Sequence, residues 1–394
     1  MISVAEARAA LLDLVSPVEV ETIPLAQAAG RVLAEPVTAR RDQPPFDASA
    51  MDGYAVNAAE VELHAMFKVI GEAAAGHGFE GRVGAGQAVR IFTGAPVPDG
   101  ADFVVIQEDV DRKGDLITIS YDPGDNANIR DRGRDFRAGQ TVDAPRRLRP
   151  ADIALLAAMN IAEVPVRRRP VVALMSTGDE LVMPGEVPGP DQIIVSNTFG
   201  LKAMFEEHGA EVRMLPIARD TDASLRTAFG LAADADLVVT IGGASVGDHD
   251  LVAGVAESLG LQRAFYKVAM RPGKPLMAGT VRGVPMIGLP GNPVSSMVLG
   301  HLLLRPAMDV MQGLPGAPLP RRNAKLGDAI PKNGPREHYM RARLEETDDG
   351  LIAFPFPNQD SSLLSVLAAA NGLVIHPPGA GAMAAGEEIQ AIFF

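Results

Sequence analysis

The sequence predicts an α/β multidomain protein whose largest part is a doubly wound α/β domain. Between Val171 and Leu314, short apolar runs alternate with helical patterns, two of which are predicted to be capped by Asn197 and Thr221. Such alternation is typical of βαβ units that build a mostly parallel sheet. On either side of this stretch, short runs separated by Gly and Pro predict β-rich parts. With 394 residues, the chain has room for two to three domains of about 150 residues each.

Changes of pattern along the chain predict the domain boundaries. Residues 1–42 and 138–168 are predicted to form a discontinuous helical and linker domain, with a β-rich domain, 43–137, inserted into it. Residues 169–314 are predicted to form the doubly wound α/β domain, and 315–394 a small C-terminal β-barrel. The first helix starts at a capping box of Ser3 and Glu6, and apolar residues follow at helical spacing, at Val4, Ala7, Leu11, Leu12 and Val15. A helix that begins at Pro150 is expected to pack on it.

Composition excludes several classes of function. The net charge of -13 argues against general nucleic-acid binding, which needs a basic face. The absence of Cys excludes disulfides and thiolate metal sites. Neither an export signal nor an apolar run of about 18 residues is found, so we expect a cytoplasmic protein.

Two loops between a strand and a helix are the strongest chemical signal. One follows the apolar run Leu237 to Ile241 and spans Gly242 to Asp250; the other is Pro290-Gly291-Asn292-Pro293. Backbone N–H groups and the first turn of a helix favour anions at both. Neither loop matches a P-loop or a dinucleotide fingerprint. Cations lie between them, at Lys267, Arg271 and Lys274.

Carboxylates accompany these loops. Oxygen ligands without thiols favour a hard cation such as Mg²⁺, bound through a few carboxylates and substrate phosphates. The residues alone therefore predict Mg²⁺-assisted chemistry on a phosphorylated ligand. For Asp52, within Met-Asp-Gly-Tyr, turn chemistry alone instead favours a turn former.

Five ordered motifs resemble the molybdopterin molybdenumtransferase family, which includes the E domain of gephyrin. They are Ser49-Ala50-Met51-Asp52-Gly53-Tyr54-Ala55, Thr93-Gly94-Ala95-Pro96-Val97-Pro98, Ser176-Thr177-Gly178-Asp179-Glu180-Leu181, the loop Gly242 to Asp250, and Arg271-Pro272-Gly273-Lys274-Pro275 with Leu289-Pro290-Gly291-Asn292-Pro293. The family more often has Val at Ala244, Glu at Asp248 and Lys at Arg271. Arg271 in place of Lys keeps the positive charge. It replaces a compact ammonium group with a planar guanidinium, which can donate two parallel hydrogen bonds.

The resemblance implies that 169–314 is a molybdopterin-binding-like α/β domain, and it also implies an activity and a set of site residues. Molybdenum from molybdate would be inserted into adenylylated molybdopterin, with Mg²⁺-dependent release of AMP. The enzyme would be a homodimer. A separate molybdopterin adenylyltransferase would make the adenylylated substrate. The implied catalytic positions are Asp52, Asp135, Glu180, Asp220 and Asp250, the last three as metal ligands. The implied substrate and phosphate positions are Thr93, Arg130, Gly242, Gly243, Ser245, Gly247, Lys267, Pro290, Gly291, Asn292 and Pro293. Molybdate is a tetrahedral dianion, so its site should hold cations and N–H or hydroxyl donors without competing carboxylates. The implied molybdate positions are Arg271, Lys274, Ser295, Arg341 and Ser361.

Two alternatives remain open at this point. A non-catalytic scaffold like gephyrin would use the same module without turnover. A nucleotide pyrophosphohydrolase with a related α/β domain would not need the Ser49 to Ala55 motif or the β-rich insertion.

Overall fold

The computed structural model describes residues 1–242 and 251–394. The chain divides into two compact units. The larger comprises Met1–Glu21, Gly30–Ala34 and Val166–Phe394. The smaller comprises Thr22–Ala29 and Glu35–Pro165.

The first helix, Val4–Leu12, belongs to the larger unit. It begins at the predicted capping box: the Glu6 N–H donates to Ser3 Oγ over 3.2 Å, and the Ser3 N–H donates to the Glu6 carboxylate over 2.7 Å. Its side chains Val4, Ala7 and Leu11 are buried in the core that one face of the α/β sheet also lines. This placement differs from the predicted helical domain of 1–42 and 138–168, because the apolar side of the helix completes the α/β core.

The α/β domain contains a six-stranded sheet. Its order is Glu211–Met214, Val171–Ser176, Leu237–Ile241, Val284–Leu289, Met277–Val281 and Gln262–Tyr266. The first four strands are parallel to one another, and the last two pair antiparallel.

Helices cover both faces of this sheet. Val172 and Leu174 face one core, whereas Ala173 and Met175 face a second core on the other side. This alternation follows from the two-residue period of a strand. The first core takes in the helices Asn197–Glu207 and Pro293–Leu299; the second takes in Asp222–Leu231 and Leu251–Ser258. The prediction of a doubly wound domain is confirmed.

The smaller unit is β-rich, as predicted. Its six-stranded sheet has the order Phe103–Ile106, Gly53–Val56, Gln87–Ile91, Met66–Ala73, Leu116–Ile119 and Val110–Lys113. The helix Pro150–Ala158 starts with proline at its first turn, where the missing N–H is no loss.

A closed barrel of five strands forms the C-terminal part. Glu337–Thr347 pairs antiparallel with both Gly350–Pro355 and Gly372–His376. Arg322–Leu326 and Glu388–Phe393 complete the ring. The predicted barrel is confirmed. In addition, the short strand Met270–Arg271 pairs in parallel with the start of Glu337–Thr347.

The remaining described elements are short. The strands are Val20–Pro24, Val32–Leu33, Val37–Thr38, Ala48–Ser49, Ile129–Arg130, Thr141–Val142, Arg146–Arg147, Glu163–Arg167, Leu181–Val182 and Ile193–Ile194. The helical segments are Leu25–Gln27, Ala58–Glu60, Gln107–Asp109, the π-helical turn Gly300–Leu304, Arg305–Met311 and Leu364–Ala369. None of the described helices is long and apolar enough to cross a lipid bilayer.

Candidate functional site

Three loops begin side by side at the carboxyl edge of the α/β sheet. The Thr177 N–H donates to Ile241 O over 3.0 Å, and the Gly242 N–H donates to Leu289 O over 3.1 Å. These bonds extend the parallel ladder by one residue beyond each strand. Ligands of such sheets bind beyond the carboxyl ends of the strands. The predicted position of the glycine loops is therefore the position expected for a ligand cleft.

Gly242 is required by close packing. Its φ is +97°, and a Cβ there would lie 2.7 Å from Thr177 O. Only glycine satisfies both conditions without strain. The predicted positions Gly243, Ser245, Gly247 and Asp250 lie outside the described residues.

The second loop is shaped by two buried polar side chains that the sequence motifs did not include. Asn197 Nδ2 donates to Gly291 O over 2.8 Å, and Ser296 Oγ donates to Pro290 O over 2.7 Å. Asn197 was expected to cap its helix, but Ser196 is the N-cap and Asn197 is the first helical residue. Asn292 precedes the helix Pro293–Leu299 as predicted, without a capping bond from its side chain.

A cavity of about 130 Å³ lies between these loops. Thr177, Glu180, Gly242, Gly291 and Pro293 are among its lining residues. The Glu180 carboxylate folds back over the preceding turn, where a Cβ on Gly178 would meet its Oε2 at 2.3 Å. The structure thus brings predicted positions from three separate motifs to one cleft.

Asp220 lies at the same edge of the sheet. It follows Ala218, which bridges to Thr177, and its N–H donates to Asp179 Oδ1 over 3.2 Å. Among the described residues, no group of three His, Asp or Glu side chains is arranged to hold a metal ion. The third predicted ligand, Asp250, lies outside them. The oxygen donors of Glu180 and Asp220 are of the type that Mg²⁺ prefers.

A second cavity, of about 340 Å³, lies between the α/β domain and the barrel. We call it the oxyanion cavity. It brings together Arg271, Lys274, Ser295 and Ser361, four of the five positions predicted to bind molybdate. Pro290 and Asn292 of the second loop also line it. Two cations and two hydroxyls from distant parts of the sequence therefore meet beside the second helix start.

Two further charged residues line the oxyanion cavity without having been predicted. Arg336 adds a third cation, and its Nη1 donates to Met270 O over 3.2 Å. Asp360 adds a carboxylate. Hydrogen bonds from the Ser362 hydroxyl and then from its N–H hold the pKa of Asp360 below the usual range. The expectation of a site without carboxylates is therefore not met.

Arg341, the fifth predicted molybdate position, is not among the residues that line this cavity. Its side chain is 1% exposed. Its Nη1 donates to Asp360 O over 2.9 Å and to Leu363 O over 3.3 Å. The guanidinium therefore lies behind the loop that carries Ser361 and binds that loop from within.

Lys267 is likewise separate from both cavities. Its ammonium lies 5.0 Å from the centroid of the Tyr266 ring, in a cation–π contact. Its backbone adopts a φ of +68°, and its carbonyl accepts a bond from the Ile2 N–H. Its predicted phosphate contact stays a prediction.

Within the smaller unit, Asp52 and Thr93 come together although 41 residues separate them. Asp52 Oδ1 accepts bonds from the Thr93 N–H over 2.7 Å and from the Thr93 hydroxyl over 2.8 Å. These two bonds, the backbone bond first, hold the pKa of Asp52 below the usual range. The ionised form of the half-buried Asp52 carboxylate is therefore favoured.

Arg130 and Asp135 occupy the same region of the smaller unit. Arg130 pairs with Ala48 in a short antiparallel ladder, and the Asp135 N–H donates to Gln43 O over 3.0 Å. Their implied roles stay predictions.

Fold and site together define a multidomain α/β protein with a cleft at the carboxyl edge of its sheet and a basic cavity beside it. Comparison with known proteins makes this class specific. Residues 2–160 match the MoeA N-terminal region (domain I and II), residues 173–310 a probable molybdopterin binding domain, and residues 323–394 the MoeA C-terminal region (domain IV).

Similar sequences and structures extend over almost the whole chain. A molybdopterin molybdenumtransferase of Nostoc is 36% identical over 95% of this chain and 88% of its own length. Molybdopterin molybdenumtransferase 2 of Mycobacterium tuberculosis is 36% identical over 99% of both. The crystal structure of a molybdopterin biosynthesis MoeA protein from Pyrococcus horikoshii matches with a TM-score of 0.85 and 31% identity, over 100% of this chain and 99% of that one. The chain belongs to the molybdopterin molybdenumtransferase family, a family of transferases in molybdenum cofactor biosynthesis.

Proposed function

We propose that the protein transfers molybdenum from molybdate to adenylylated molybdopterin and releases AMP in a Mg²⁺-dependent reaction. The observation that carries the proposal is the oxyanion cavity, where Arg271, Lys274, Ser295 and Ser361 meet beside the second loop. Cations and hydroxyl donors suit a tetrahedral dianion. The neighbouring cleft at Gly242 suits the phosphate end of a nucleotide.

Within this proposal, Glu180, Asp220 and Asp250 would hold Mg²⁺. When bound, the ion would supply positive charge to the phosphate oxygens as the anhydride is cleaved. The chain itself would contribute N–H groups of the second loop, Pro290-Gly291-Asn292-Pro293, which would orient the phosphates. Arg271 and Lys274 bind the oxyanion at the far end of the site.

The test is release of AMP from adenylylated molybdopterin, with and without molybdate and Mg²⁺. Asp250→Asn keeps the shape of the side chain and removes its charge, so AMP release should collapse while the melting temperature stays close to wild type. Undiminished release by the variant, or full activity in excess chelator, would contradict the assignment.

The same assay separates the alternatives. A nucleotide pyrophosphohydrolase would cleave other dinucleotides as well and would ignore molybdate. The matches to the N-terminal and C-terminal regions of the family favour the transferase, because the hydrolase alternative accounts only for the α/β domain. A scaffold without turnover would release no AMP at all.

We also propose a cytoplasmic homodimer that receives its substrate from a separate adenylyltransferase. In a two-fold dimer, Asp52 of one chain would complete the site of the other. Asp52→Ala and Asp250→Ala proteins, refolded together in equal amounts, should then recover roughly a quarter of wild-type activity. No recovery would place each site within one chain, and a monomer in light scattering would exclude the dimer.

A further inference from the structure

Gln359 lines the oxyanion cavity, yet its side chain has no capacity left for a ligand. Its Oε1 accepts bonds from the Arg341 N–H over 2.9 Å and from Arg341 Nε over 3.2 Å. Its Nε2 donates to Arg341 O over 3.0 Å and to Phe356 O over 2.7 Å. A carboxamide has two acceptor sites and two donor hydrogens. All four are used inside the protein.

These bonds fasten the loop 356–363 to the barrel strand Glu337–Thr347. The Gln359 carboxamide is hydrogen-bonded to both the backbone N–H and the backbone carbonyl of Arg341, as a neighbouring β-strand would be. The Arg341 guanidinium then binds the carbonyls of Asp360 and Leu363. Arg341 and Gln359 therefore form one hydrogen-bonded unit on the inner side of the loop, which we call the clasp.

The clasp fixes the position of Ser361. Carbonyls on both sides of Ser361, at positions 360 and 363, are bound by Arg341. The carbonyl of Ser361 itself accepts a bond from the Val294 N–H over 3.1 Å, at the start of the second helix. Ser361 is thus held between the barrel and the α/β domain, on the wall of the oxyanion cavity.

We propose that Gln359 is a positioning residue of the oxyanion site: it holds Ser361 in place through Arg341 and does not itself bind the anion. The inference rests on the proposed function of this cavity. It also assigns Arg341 a supporting role in place of direct contact.

The test is direct binding of molybdate, measured by equilibrium dialysis without the pterin substrate. Gln359→Met keeps the length of the side chain and removes all four bonds, so its Kd for molybdate should rise about tenfold, or about 1.4 kcal/mol. Gln359→Asn, one methylene too short to reach both carbonyls, should behave in the same way and serves if the Met variant does not fold. Affinity for AMP should stay at the wild-type value in both.

The barrel offers a matched control. Asn371 Oδ1 accepts a bond from the Leu344 N–H over 2.7 Å, and Asn371 Nδ2 donates to Leu344 O over 2.9 Å. Asn371 thus makes the same pair of hydrogen bonds to the backbone of a strand residue as Gln359 does. Neither Asn371 nor Leu344 lines the oxyanion cavity. Asn371→Leu should lower the melting temperature without changing the Kd for molybdate. An equal rise of the Kd in this control would overturn the inference.

A double-mutant cycle with Ser361→Ala distinguishes positioning from contact. If Gln359 acts through Ser361, Gln359→Met should weaken binding little further once the Ser361 hydroxyl is gone. Additive losses would mean that Gln359 contacts the anion, and the inference would be wrong. If wild type binds no molybdate at all, the proposed oxyanion site fails first. If wild type binds but Gln359→Met binds equally well, only the positioning role fails.

Discussion

A partly buried histidine should make the larger unit sensitive to mild acid. His301 lies in the π-helical turn Gly300–Leu304 and stacks on Phe394, with 4.7 Å between ring centroids. Its Nδ1 is buried without a partner in the described residues. Burial lowers the pKa of His301 to about 4, and the nearby positive charges of Arg305 and His208 act in the same direction.

The size of the effect follows from proton linkage. An unfolded histidine has a pKa of about 6.5. As the pH falls from there towards 4, the unfolded chain binds a proton that the folded chain does not, so the free energy of unfolding falls. Between pH 7.5 and pH 5.0, this one side chain should account for a loss of about 2 kcal/mol. His301→Phe keeps an aromatic ring against Phe394 and removes the titrating group, so it should abolish that part of the loss.

Urea denaturation of wild type and His301→Phe at the two pH values measures the difference. The exposed His77 provides a control, since His77→Gln should leave the wild-type dependence unchanged. If His301→Phe loses as much stability between pH 7.5 and 5.0 as wild type does, the buried neutral imidazole is not the cause. A titration of His301 near pH 6.5 in its NMR spectrum would refute the reasoning directly.

Three further outcomes are expected at the site. Thr93→Val removes one of the two bonds that lower the pKa of Asp52, so the acid limb of the pH profile of AMP release should move to higher pH, and Thr93→Ser should restore it. Asn197→Leu leaves the second loop without its amide donor, which should lower the free energy of unfolding in urea by about 1 to 3 kcal/mol; unchanged stability would contradict its role in holding that loop. Asp360→Asn removes a negative charge from the oxyanion cavity, so molybdate should bind more tightly, most clearly at low salt. Asp349→Asn, on an exposed turn of the same barrel, should change nothing.

Local patterns predicted the regular elements well. The capping box at Ser3, the cap at Thr221 and the proline at position 150 each mark a helix start that the structure contains. These signals are short-range, because a cap bonds to groups within its own first turn. The strand Met66–Ala73 was missed, since Lys68, Gly71 and Glu72 interrupt its apolar pattern.

The oxyanion cavity could be predicted only where a motif named its residues. Arg271, Lys274, Ser295 and Ser361 were placed by resemblance to the family, and the structure brings them together. Arg336 carried no signal in the sequence, because it enters the cavity only through the pairing of Met270–Arg271 with the barrel. The burial of Arg341 could not be predicted either, since no local sequence pattern distinguishes an arginine that binds a loop of the protein from one that binds the anion.

The placement of the first helix shows a different limit. Its amphipathic pattern predicted which side chains are buried but not which core receives them. Val4, Ala7 and Leu11 fit the α/β core as well as they would fit another helix. Only the complete packing decides between such partners.

The pairing of Met270–Arg271 with the barrel strand restricts how the site can move. Arg271 belongs to the α/β domain by sequence, but its backbone is a strand partner of His338 in the barrel. A hinge opening between these two parts would break that ladder, as well as the bond from the Val294 N–H to Ser361 O. These backbone bonds therefore hold the α/β side and the barrel side of the oxyanion cavity together. Entry and exit of the oxyanion should depend on side-chain rearrangement, with rates that are insensitive to agents that slow domain motion, such as added viscogen.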